Sequence, residues 1–348
     1  MDPGRVAELN LVQILPEFEE GGVERHVLWL GNALAGRGHR VTVISAGGKL
    51  EAALDNVRHW KLPVHKKNPL TGFYCAVLIA KRARKEGWQV LHSHSRVPSW
   101  IAWWASTLSG IPWMVTCHAN YSRNQGLIPY RHASTAICVS STVRENLKGI
   151  LPPVSRVIPN GLPDPPFEWH GPTRQDPITR FLFIGRLSRI KGIQDLVEVF
   201  SKIQGEWSLD VLGDGPLMSF LRKRTGELGL EKRIVLHGFR DDTDQWLRNC
   251  SCLIFPSYQE GMPLTLARAI QMKVPVIASN ISPVREMTGS EVGLLAPGDH
   301  KAWQQRIEEF MEYGLKTYRF NVSRIPTLDD MTDQVEKIYS SVISGDLS

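Results

Sequence analysis

The sequence predicts an α/β protein of two domains, each built around a parallel β-sheet. Apolar runs of strand length alternate with helical patterns along most of the chain, and this alternation is typical of a parallel sheet covered on both faces. A proline-rich stretch without periodicity, residues 163–177, interrupts the alternation once, and the alternation then restarts. Since 348 residues suffice for two domains of ordinary size, we expect this stretch to be the linker between them.

Residues 1–162 are predicted to form the first domain. Its first strand, LNLVQIL (9–15), leads through a loop ending in Gly21 and Gly22 into a helix with apolar residues at helical spacing. The alternation then continues to the end of the domain. Further strands are predicted at 41–45, 88–93, 112–117 and 135–140, with helices at 73–86 and 98–109.

Residues 178–326 are predicted to form the second domain. Five apolar runs have strand length, and helices are expected between them. A last helix within residues 327–348 is expected to pack back on the first domain. The predicted strands are 180–185, 208–213, 233–238, 252–257 and 275–279, and the clearest helices are 192–202, 216–228 and 263–272.

The chain has a net charge of +6, and the basic surplus lies in its first half. Residues 1–165 hold 19 lysines and arginines against 11 acidic residues, and much of the excess falls between Arg58 and Lys85. Such a surface can bind anionic lipid headgroups, an anionic substrate or nucleic acid, or it can be a solvated helix face without a partner. Since no nucleic-acid-binding motif accompanies the charge, nucleic acid is the least favoured partner.

Other features of the sequence favour a cytoplasmic protein. Its five cysteines are odd in number and lack Cys-x-x-Cys spacing, so we expect reduced thiols that lie mostly in the core. The segment MDPGRVAEL has no apolar run of the kind found in signal peptides. Pro98, Gly110 and Pro112 break the uncharged stretch 97–115, which favours a buried helix followed by a strand over a membrane span.

Ligands of open parallel sheets bind beyond the carboxyl ends of the strands, so the loops that lead from strands into helices hold the candidate residues. Gly21 and Gly22 let backbone N–H groups approach an anion, although a plain tight turn explains the pair about as well. In GRLSRIKG (185–192), Arg186 and Lys191 follow a strand. Two cations fixed there suit a leaving diphosphate, and the alternative is two ordinary exposed side chains.

The segment PSYQEGMPLTLARA (256–269) is the next candidate loop. Glu260 and Gly261 are expected to end a strand, and residues 262–265 to begin a helix. The backbone amides of Gly261, Leu264 and Thr265 are candidates for phosphate binding. Glu260 can accept hydrogen bonds from sugar hydroxyls, and its alternative role is to serve the helix N-terminus.

Histidines mark two strand ends in the first domain. His118 in TCHAN (116–120) can hydrogen-bond a sugar hydroxyl or titrate, and a structural role is equally compatible with its position. His92 and His94 alternate along LHSHS, which aims both at one face, and no third residue at metal-ligand spacing is evident. The tryptophans of residues 97–115 are expected in the core rather than in a sugar-binding platform.

Together these segments resemble the retaining glycosyltransferases of family four, among the group 1 glycosyl transferases. The matching segments are distributed over nearly the whole length of the chain. The resemblance implies the GT-B fold, in which two Rossmann-like parallel-sheet domains face each other across a cleft. The segments are GGVERHVLWLGNALAGRGHRVTVIS, LHSHS, TCHAN, VIPNGLP, FIGRLSRIKGIQDLVEVF, LGDGP, VLHGF and FPSYQEGMPLTLARA.

The resemblance also implies roles for single residues. Arg186 and Lys191 would bind the donor diphosphate, and Glu260 and His118 would contact the donor sugar. No metal ion or cofactor is implied, because the two cations stabilise the leaving group, and no protein nucleophile is expected. The other implied positions are Gly185, Gly213, Asp214, Gly215, Gly261, Met262, Leu264, Thr265 and Arg268 on the donor side, and Gly21 and Gly22 on the acceptor side.

Two positions depart from the family pattern. The family carries a second Glu eight residues after the first, where it usually holds the ribose hydroxyls, and this sequence has Arg268 there. Because a guanidinium cannot accept hydrogen bonds, Arg268 reaches a phosphate, the ribose is held in another way, or donor affinity is weak. Lys273 stands where the family usually has glycine, so the preceding helix is expected to end without a left-handed glycine.

The function implied is transfer of a hexose, with retention, from a UDP- or GDP-sugar to a glycolipid, lipopolysaccharide or polysaccharide precursor. The basic first domain adds the expectation of a peripheral position at the cytoplasmic membrane face. Two alternatives stay open. One is a sugar-nucleotide epimerase of the same fold, and the other is a degenerate transferase acting as a binding subunit, which Arg268 keeps open.

Overall fold

Two α/β units make up the residues that the structure, a computed structural model, describes: 7–171, 178–314, 320 and 322–346. The first unit contains the described residues up to Pro163 together with those from Pro326 onward. The second unit runs from Asp164 to Ile325. Each unit is built on one parallel sheet, which confirms the predicted fold class.

The first unit has a seven-stranded sheet with the strand order β3-β2-β1-β4-β5-β6-β7, in which all neighbouring strands are parallel. The order reverses between β1 and β4, which pair side by side. The strands are β1 (Asn10–Ile14), β2 (Arg40–Ser45), β3 (Arg58–Lys61), β4 (Val90–His94), β5 (Trp113–Cys117), β6 (Thr135–Cys138) and β7 (Ser155–Val157), and the helices between them are α1 (Gly22–Gly36), α2 (Pro69–Glu86), α3 (Arg96–Ser109) and α4 (Ser141–Asn146).

The second unit has a five-stranded parallel sheet with the order β10-β9-β8-β11-β12, and its reversal falls between β8 and β11. Helices follow the strands as the sequence predicts. The strands are β8 (Thr179–Ile184), β9 (Trp207–Leu212), β10 (Ile234–Gly238), β11 (Cys252–Phe255) and β12 (Val276–Ala278), and the helices are α5 (Ile193–Phe200), α6 (Met218–Glu227), α7 (Thr243–Asn249), α8 (Leu264–Gln271), α9 (Ser282–Thr288) and α10 (His300–Tyr313).

The central strands are buried along their whole length, including polar residues such as Gln13 and His92. All residues of β1, β4, β5 and β11 are buried. Helices on both faces exclude water from such strands, so alternation of polar and apolar residues is not required. The short edge strands β3 and β7 are only partly buried, and the sequence pattern did not predict them.

The uncharged stretch 97–115 lies mostly in helix α3 and strand β5, as predicted. Gly110 ends the helix in the left-handed conformation, which glycine adopts without steric cost. Among the described residues, the helices are all too short or too polar to cross a membrane. The five cysteines are buried and free, in agreement with the expectation of core thiols.

The last helix, α11 (Leu328–Ser344), packs on the sheet of the first unit. Met331, Val335 and Tyr339 are buried in the apolar cluster formed by the strands and α1. At the rim of this contact, Arg37 forms ion pairs with Asp333 and Glu336 at N–O distances of 2.5 and 3.0 Å. Apolar burial and a charged rim therefore both attach the chain's last helix to its first unit.

The first part of the proline-rich stretch packs on the second unit. The backbone N–H of Trp169 donates to the carbonyl of Met272, and its indole N–H donates to the carbonyl of Cys250 at 2.9 Å. Arg248 lies over the ring of Phe167. Residues 172–177, the remainder of the predicted linker, lie outside the described residues.

Lys273 ends helix α8 in the left-handed conformation, with φ of +63°. Its N–H donates to the carbonyl of Ile270, and the N–H of Val274 donates to that of Ala269. These two bonds form a Schellman motif, in which glycine usually occupies the left-handed position. The helix therefore ends with a residue in the left-handed conformation. Because this residue is lysine rather than glycine, the conformation costs about 1–2 kcal/mol.

We expect Lys273→Gly to raise the free energy of unfolding by about 1 kcal/mol, because relief of this strain exceeds the added chain entropy of glycine. Chemical denaturation followed by fluorescence measures the change. Lys273→Ala is the matched control, since it removes the side-chain charge and keeps a Cβ atom. An equal gain in both variants would show that charge, rather than backbone strain, sets the stability at this position.

Candidate functional site

The loops after β8 and β11 form the candidate site of the second unit. These two strands are neighbours at the point where the strand order reverses, and ligands of open α/β sheets bind there, beyond the carboxyl ends. Strand β11 ends at Phe255, so the expectation that Glu260 and Gly261 end a strand was wrong. Pro256 has no N–H group for the sheet, and a loop of eight residues leads from there to α8.

Close backbone contacts join these two loops. The N–H of Tyr258 donates to the carbonyl of Ile190 at 2.8 Å. Gly192 has φ of +72°, and a Cβ atom on it would lie 2.3 Å from the carbonyl oxygen of Pro256. Only glycine combines this conformation with this approach, so Gly192 keeps the β8 loop against the β11 loop.

The glycine-rich turn after β9 packs against the same place. The N–H of Leu187 donates to the carbonyl of Asp214 at 2.9 Å. Gly213 and Gly215 have positive φ, and a Cβ atom on Gly213 would lie 2.0 Å from the carbonyl oxygen of Gly185. The three loops that hold the predicted donor-side residues are thus one packed assembly.

Lys191 and Glu260 form an ion pair across the two loops. The Lys191 Nζ lies 2.6 Å from the Glu260 Oε1, and the two side chains are 24% and 9% exposed. The short distance and the low exposure mark a charge-assisted hydrogen bond that is largely shielded from water. The structure therefore brings together two of the predicted catalytic residues.

Arg186 differs from Lys191 in having its side chain in solvent. The residue is exposed, and within the described parts of the chain we find no carboxylate paired with its guanidinium. It follows Gly185 directly at the end of β8. An exposed guanidinium beside a paired lysine leaves a planar donor group available to phosphate oxygens.

The N-terminus of α8 lies in the same loop assembly. Its N-cap position is Pro263, and no side chain of the described residues caps the helix there. The first-turn amides of Leu264 and Thr265 therefore lack the side-chain acceptor that usually satisfies such groups. Together with the helix dipole, they favour an anion at this end of α8.

Arg268, at the position of the family's second carboxylate, makes contacts within the second unit. Its Nε lies 3.4 Å from the Oδ1 of Asp244 on α7, and its guanidinium also donates to the Gln271 side chain at 2.7 Å. The Arg268 side chain is 12% exposed. Its positive charge is thus compensated by an acidic residue of a neighbouring helix.

Three histidines converge at the carboxyl edge of the first sheet. His94 ends β4, His118 directly follows β5, and His26 lies in the second turn of α1, the helix after β1. The Nδ1 of His94 lies 3.0 Å from the Nε2 of His118. The ring of His26 packs against that of His118, with 4.8 Å between ring centres.

Burial keeps these imidazoles neutral. Removal from water lowers the pKa of His26 to about 4, against a smaller opposite effect of the Asn160 amide. Burial also places the pKa values of His94 and His118 well below the ordinary value, and neighbouring histidines add to the effect. At neutral pH the cluster therefore offers uncharged nitrogen atoms rather than a positive charge.

His92 shares the face of His94, as the alternation predicts, but it has other partners. Its Nδ1 lies 2.7 Å from the hydroxyl of Tyr339, and its Nε2 lies 2.7 Å from that of Thr116. Both ring nitrogens are thereby used in structural hydrogen bonds. His92 thus connects β4 to α11 and β5.

Gly21 and Gly22 lie at the N-terminus of α1, where the sequence places them. Gly21 is the N-cap residue, and a Cβ atom on it would lie 2.3 Å from the carboxylate of Glu24. Burial is the main cause that raises the pKa of this carboxyl group. The carboxyl group of Glu24 therefore lies against the backbone of Gly21.

Sequence reasoning missed His26 as a site residue. The signal was present, because His26 lies four residues after Gly22, and this spacing puts the two residues on one face of the helix. The apolar periodicity of the segment predicts only an amphipathic helix. Asn160, in the segment VIPNGLP, was also missed, because its contact with His26 forms only in the folded chain.

Comparisons with known proteins agree with this geometry. A family model described as glycosyl transferases group 1 matches residues 178–313, and one described as glycosyltransferase family 4 matches residues 20–164. The chain belongs to the group 1 glycosyltransferases. Each model covers most of one parallel-sheet unit, and together they span the loops described above.

Several group 1 relatives are similar over part of the chain. A teichuronic acid biosynthesis glycosyltransferase of Bacillus subtilis (strain 168), TuaC, is 28% identical over 63% of this chain and 60% of its own. The lipopolysaccharide 1,6-galactosyltransferase of Salmonella typhimurium is 32% identical over 36% of this chain and 38% of its own. The alignments thus span about 60% or less of the length of these relatives.

Solved structures match nearly the whole chain and confirm the GT-B fold with two Rossmann-like units. A glycosyltransferase from Rickettsia africae ESF-5 has a TM-score of 0.79 and 22% identity, and covers 97% of this chain and 99% of its own. Anabaena Alr3699/HepE in complex with UDP-glucose has a TM-score of 0.81 and 17% identity, over 96% and 100% of the two chains.

For this group 1 glycosyltransferase, we expect Gly192→Ala to lower the free energy of unfolding by more than about 2 kcal/mol, because it adds both left-handed strain and a clash with Pro256. Chemical denaturation measures the loss. Gly226→Ala is the matched control in helix α6, where a Cβ atom has room and should stabilise by about 0.5–1 kcal/mol. Equal stability of the two variants would contradict the importance of the loop contact.

Proposed function

We propose that the chain is a retaining, metal-independent hexosyltransferase that uses a UDP- or GDP-sugar. The observation that carries this proposal is the Lys191–Glu260 ion pair at the strand-order reversal of the second sheet, with the exposed Arg186 in the same loop as Lys191. Two cations suit a diphosphate, and one acceptor-only carboxylate suits sugar hydroxyls. The uncapped first turn of α8 supports a phosphate at the same edge.

In the proposed reaction, the bond from the sugar's anomeric carbon to the diphosphate oxygen breaks, and a bond to the acceptor oxygen forms on the same face. The acceptor's proton passes to the departing phosphate oxygen, so no protein nucleophile is needed. Arg186 and Lys191 stabilise the negative charge that grows on the diphosphate. Glu260 holds sugar hydroxyls, and we propose that His118 accepts a further hydrogen bond from the sugar.

The choice of donor and acceptor rests on the named similarities. Anabaena Alr3699/HepE was solved with UDP and with UDP-glucose, which supports a uridine donor. Relatives named for lipopolysaccharide galactosyl transfer and teichuronic acid biosynthesis support a glycolipid, lipopolysaccharide or polysaccharide precursor as acceptor. Screening UDP- and GDP-hexoses by thermal shift identifies the donor, since a ligand at 100 times its Kd adds about 2.7 kcal/mol.

Turnover with the identified donor tests the proposed function against its alternatives. A transferase forms glycosylated acceptor and consumes donor only slowly without acceptor. An epimerase converts the donor to another nucleotide-sugar with no acceptor present. A binding subunit gives no turnover in either assay, and that result would refute the proposal.

Arg186→Ala is expected to lower kcat by roughly 30- to 1,000-fold, which corresponds to about 2–4 kcal/mol of lost transition-state stabilisation. KM for the donor should change less if the guanidinium acts mainly on the leaving charge. Arg189→Ala is the matched control, because Arg189 is an exposed arginine of the same loop with no proposed role. Near-normal turnover of Arg186→Ala would remove the proposed leaving-group stabilisation.

We also propose that the first unit binds an anionic membrane surface. Leu70, Phe73 and Tyr74 are 82%, 51% and 59% exposed at the start of α2, at helical spacing. Lys66 and Lys67, which directly precede this helix, are exposed and have no acidic partner among the described residues. Exposed apolar side chains beside lysines are the combination that binds the interface of an anionic bilayer.

Co-sedimentation with vesicles tests this surface. We expect binding to anionic vesicles that falls as salt rises, and weaker binding to neutral ones. Changing Lys66 and Lys67 together to Glu should abolish the preference, whereas Lys232→Glu, an exposed lysine of the second unit, should retain it. Equally weak binding to both kinds of vesicle would show that the basic segment is only a solvated face.

A further inference from the structure

The first unit contains a cluster of three histidines, of which the proposed transfer reaction uses only His118. One ring nitrogen from each of His26, His94 and His118 lies within 4.8 Å of the other two. The three residues come from three different elements, at the point where the strand order of the first sheet reverses between β1 and β4. Three nitrogen donors aimed at one small volume are the minimum set for a metal centre.

Several nitrogens of this cluster lack protein partners. His26 is 3% exposed, and neither of its ring nitrogens has a partner at good hydrogen-bond geometry within the described residues, although the Asn160 side chain lies near the ring. The Nε2 of His94, a fully buried residue, is in the same situation. Buried polar atoms are nearly always satisfied in folded proteins, so the cluster is arranged for a group that the chain does not supply.

The separations suit a four-coordinate ion. With metal–nitrogen bonds of 2.0–2.1 Å, two ligands of a tetrahedral ion lie about 3.3 Å apart. The His94 Nδ1 and His118 Nε2 lie 3.0 Å apart in a hydrogen bond, which a bound metal ion would replace. The widest separation in the cluster, 4.8 Å at most, has to shrink by about 1.5 Å.

The chemistry of the rings also suits a metal. A histidine binds a metal ion through the lone pair of one ring nitrogen. Each ring keeps its single proton on the nitrogen that does not bind. His92 is excluded from the set, because Tyr339 and Thr116 use both of its nitrogens.

We propose that His26, His94 and His118 bind one divalent transition-metal ion of the Zn²⁺ class, with a fourth position open. Imidazole donors select Zn²⁺, Ni²⁺ or Cu²⁺ over Mg²⁺ and Ca²⁺, which prefer oxygen ligands.

Metal binding would inhibit the transferase. This consequence rests on the proposed function, in which His118 accepts a hydrogen bond from the donor sugar. A nitrogen bound to a metal has no lone pair left for that hydrogen bond. The ion is thus an inhibitor of sugar transfer at this site and has no part in stabilising the leaving diphosphate, which Arg186 and Lys191 perform.

Titration with Co²⁺ tests the site on the full-length, tag-free protein after removal of metal by a chelator. We expect one equivalent to bind with the visible absorption of four-coordinate Co²⁺, and Zn²⁺ to displace it. His26→Asn and His118→Gln should each weaken Zn²⁺ binding by roughly 100-fold or more. Changes to residues that only support a metal ligand already lower metal affinity by about 10- to 100-fold. His170→Asn, at an exposed histidine of the second unit, is the control and should bind as the parent does.

Two outcomes overturn the proposal: no Co²⁺ or Zn²⁺ binding by the parent protein, or equal binding in both cluster variants. Circular dichroism shows whether each variant is folded, and the partly buried position of His118 makes His118→Gln the safer substitution.

Inhibition is measured separately, as loss of transfer with Zn²⁺ and its recovery with chelator. Because Co²⁺ absorption needs no turnover, an inactive protein that binds metal refutes the proposed function alone, and an active protein that does not bind refutes the metal site alone.

Discussion

The reversal of strand order in each parallel sheet is the constraint on which both candidate sites depend. Between β1 and β4, and again between β8 and β11, the loops leave neighbouring strands toward opposite faces of the sheet, which opens a crevice at the carboxyl edge. Arg186, Lys191 and Glu260 lie in the loops that follow β8 and β11. Gly192 and Gly213 let the backbones approach closely enough to assemble the edge of the second sheet.

Buried polar groups are accommodated differently at the carboxyl edges of the two sheets. At the second sheet, the largely buried Glu260 side chain is paired with Lys191, whose Nζ lies 2.6 Å from its Oε1. At the first sheet, the cluster of His26, His94 and His118 contains no carboxylate among the described residues, and burial leaves the rings neutral. The edge of the second sheet therefore holds paired charges, and the edge of the first holds uncharged ring nitrogens.

The sequence was sufficient to predict the fold class, the central strands and the loops that hold Arg186, Lys191 and Glu260, because buried parallel strands and loop glycines leave strong local patterns. It could not reveal the short edge strand β3, which is only partly buried, or the early end of β11. The pairing of His26 with His118 joins residues far apart in sequence, and no local periodicity encodes such a contact. The αL conformation of Lys273 was hidden because a lysine usually avoids it.

Arg268 departs from the family pattern, and a residue on a neighbouring helix compensates its charge. A guanidinium placed at a carboxylate position, and largely buried there, would be unfavourable without a partner. Asp244, on the preceding helix α7, supplies that partner at 3.4 Å, so an acidic group remains beside α8 although it comes from another element. Since the two charges compensate each other, the effect of a substitution at position 268 is expected to depend on the residue at position 244.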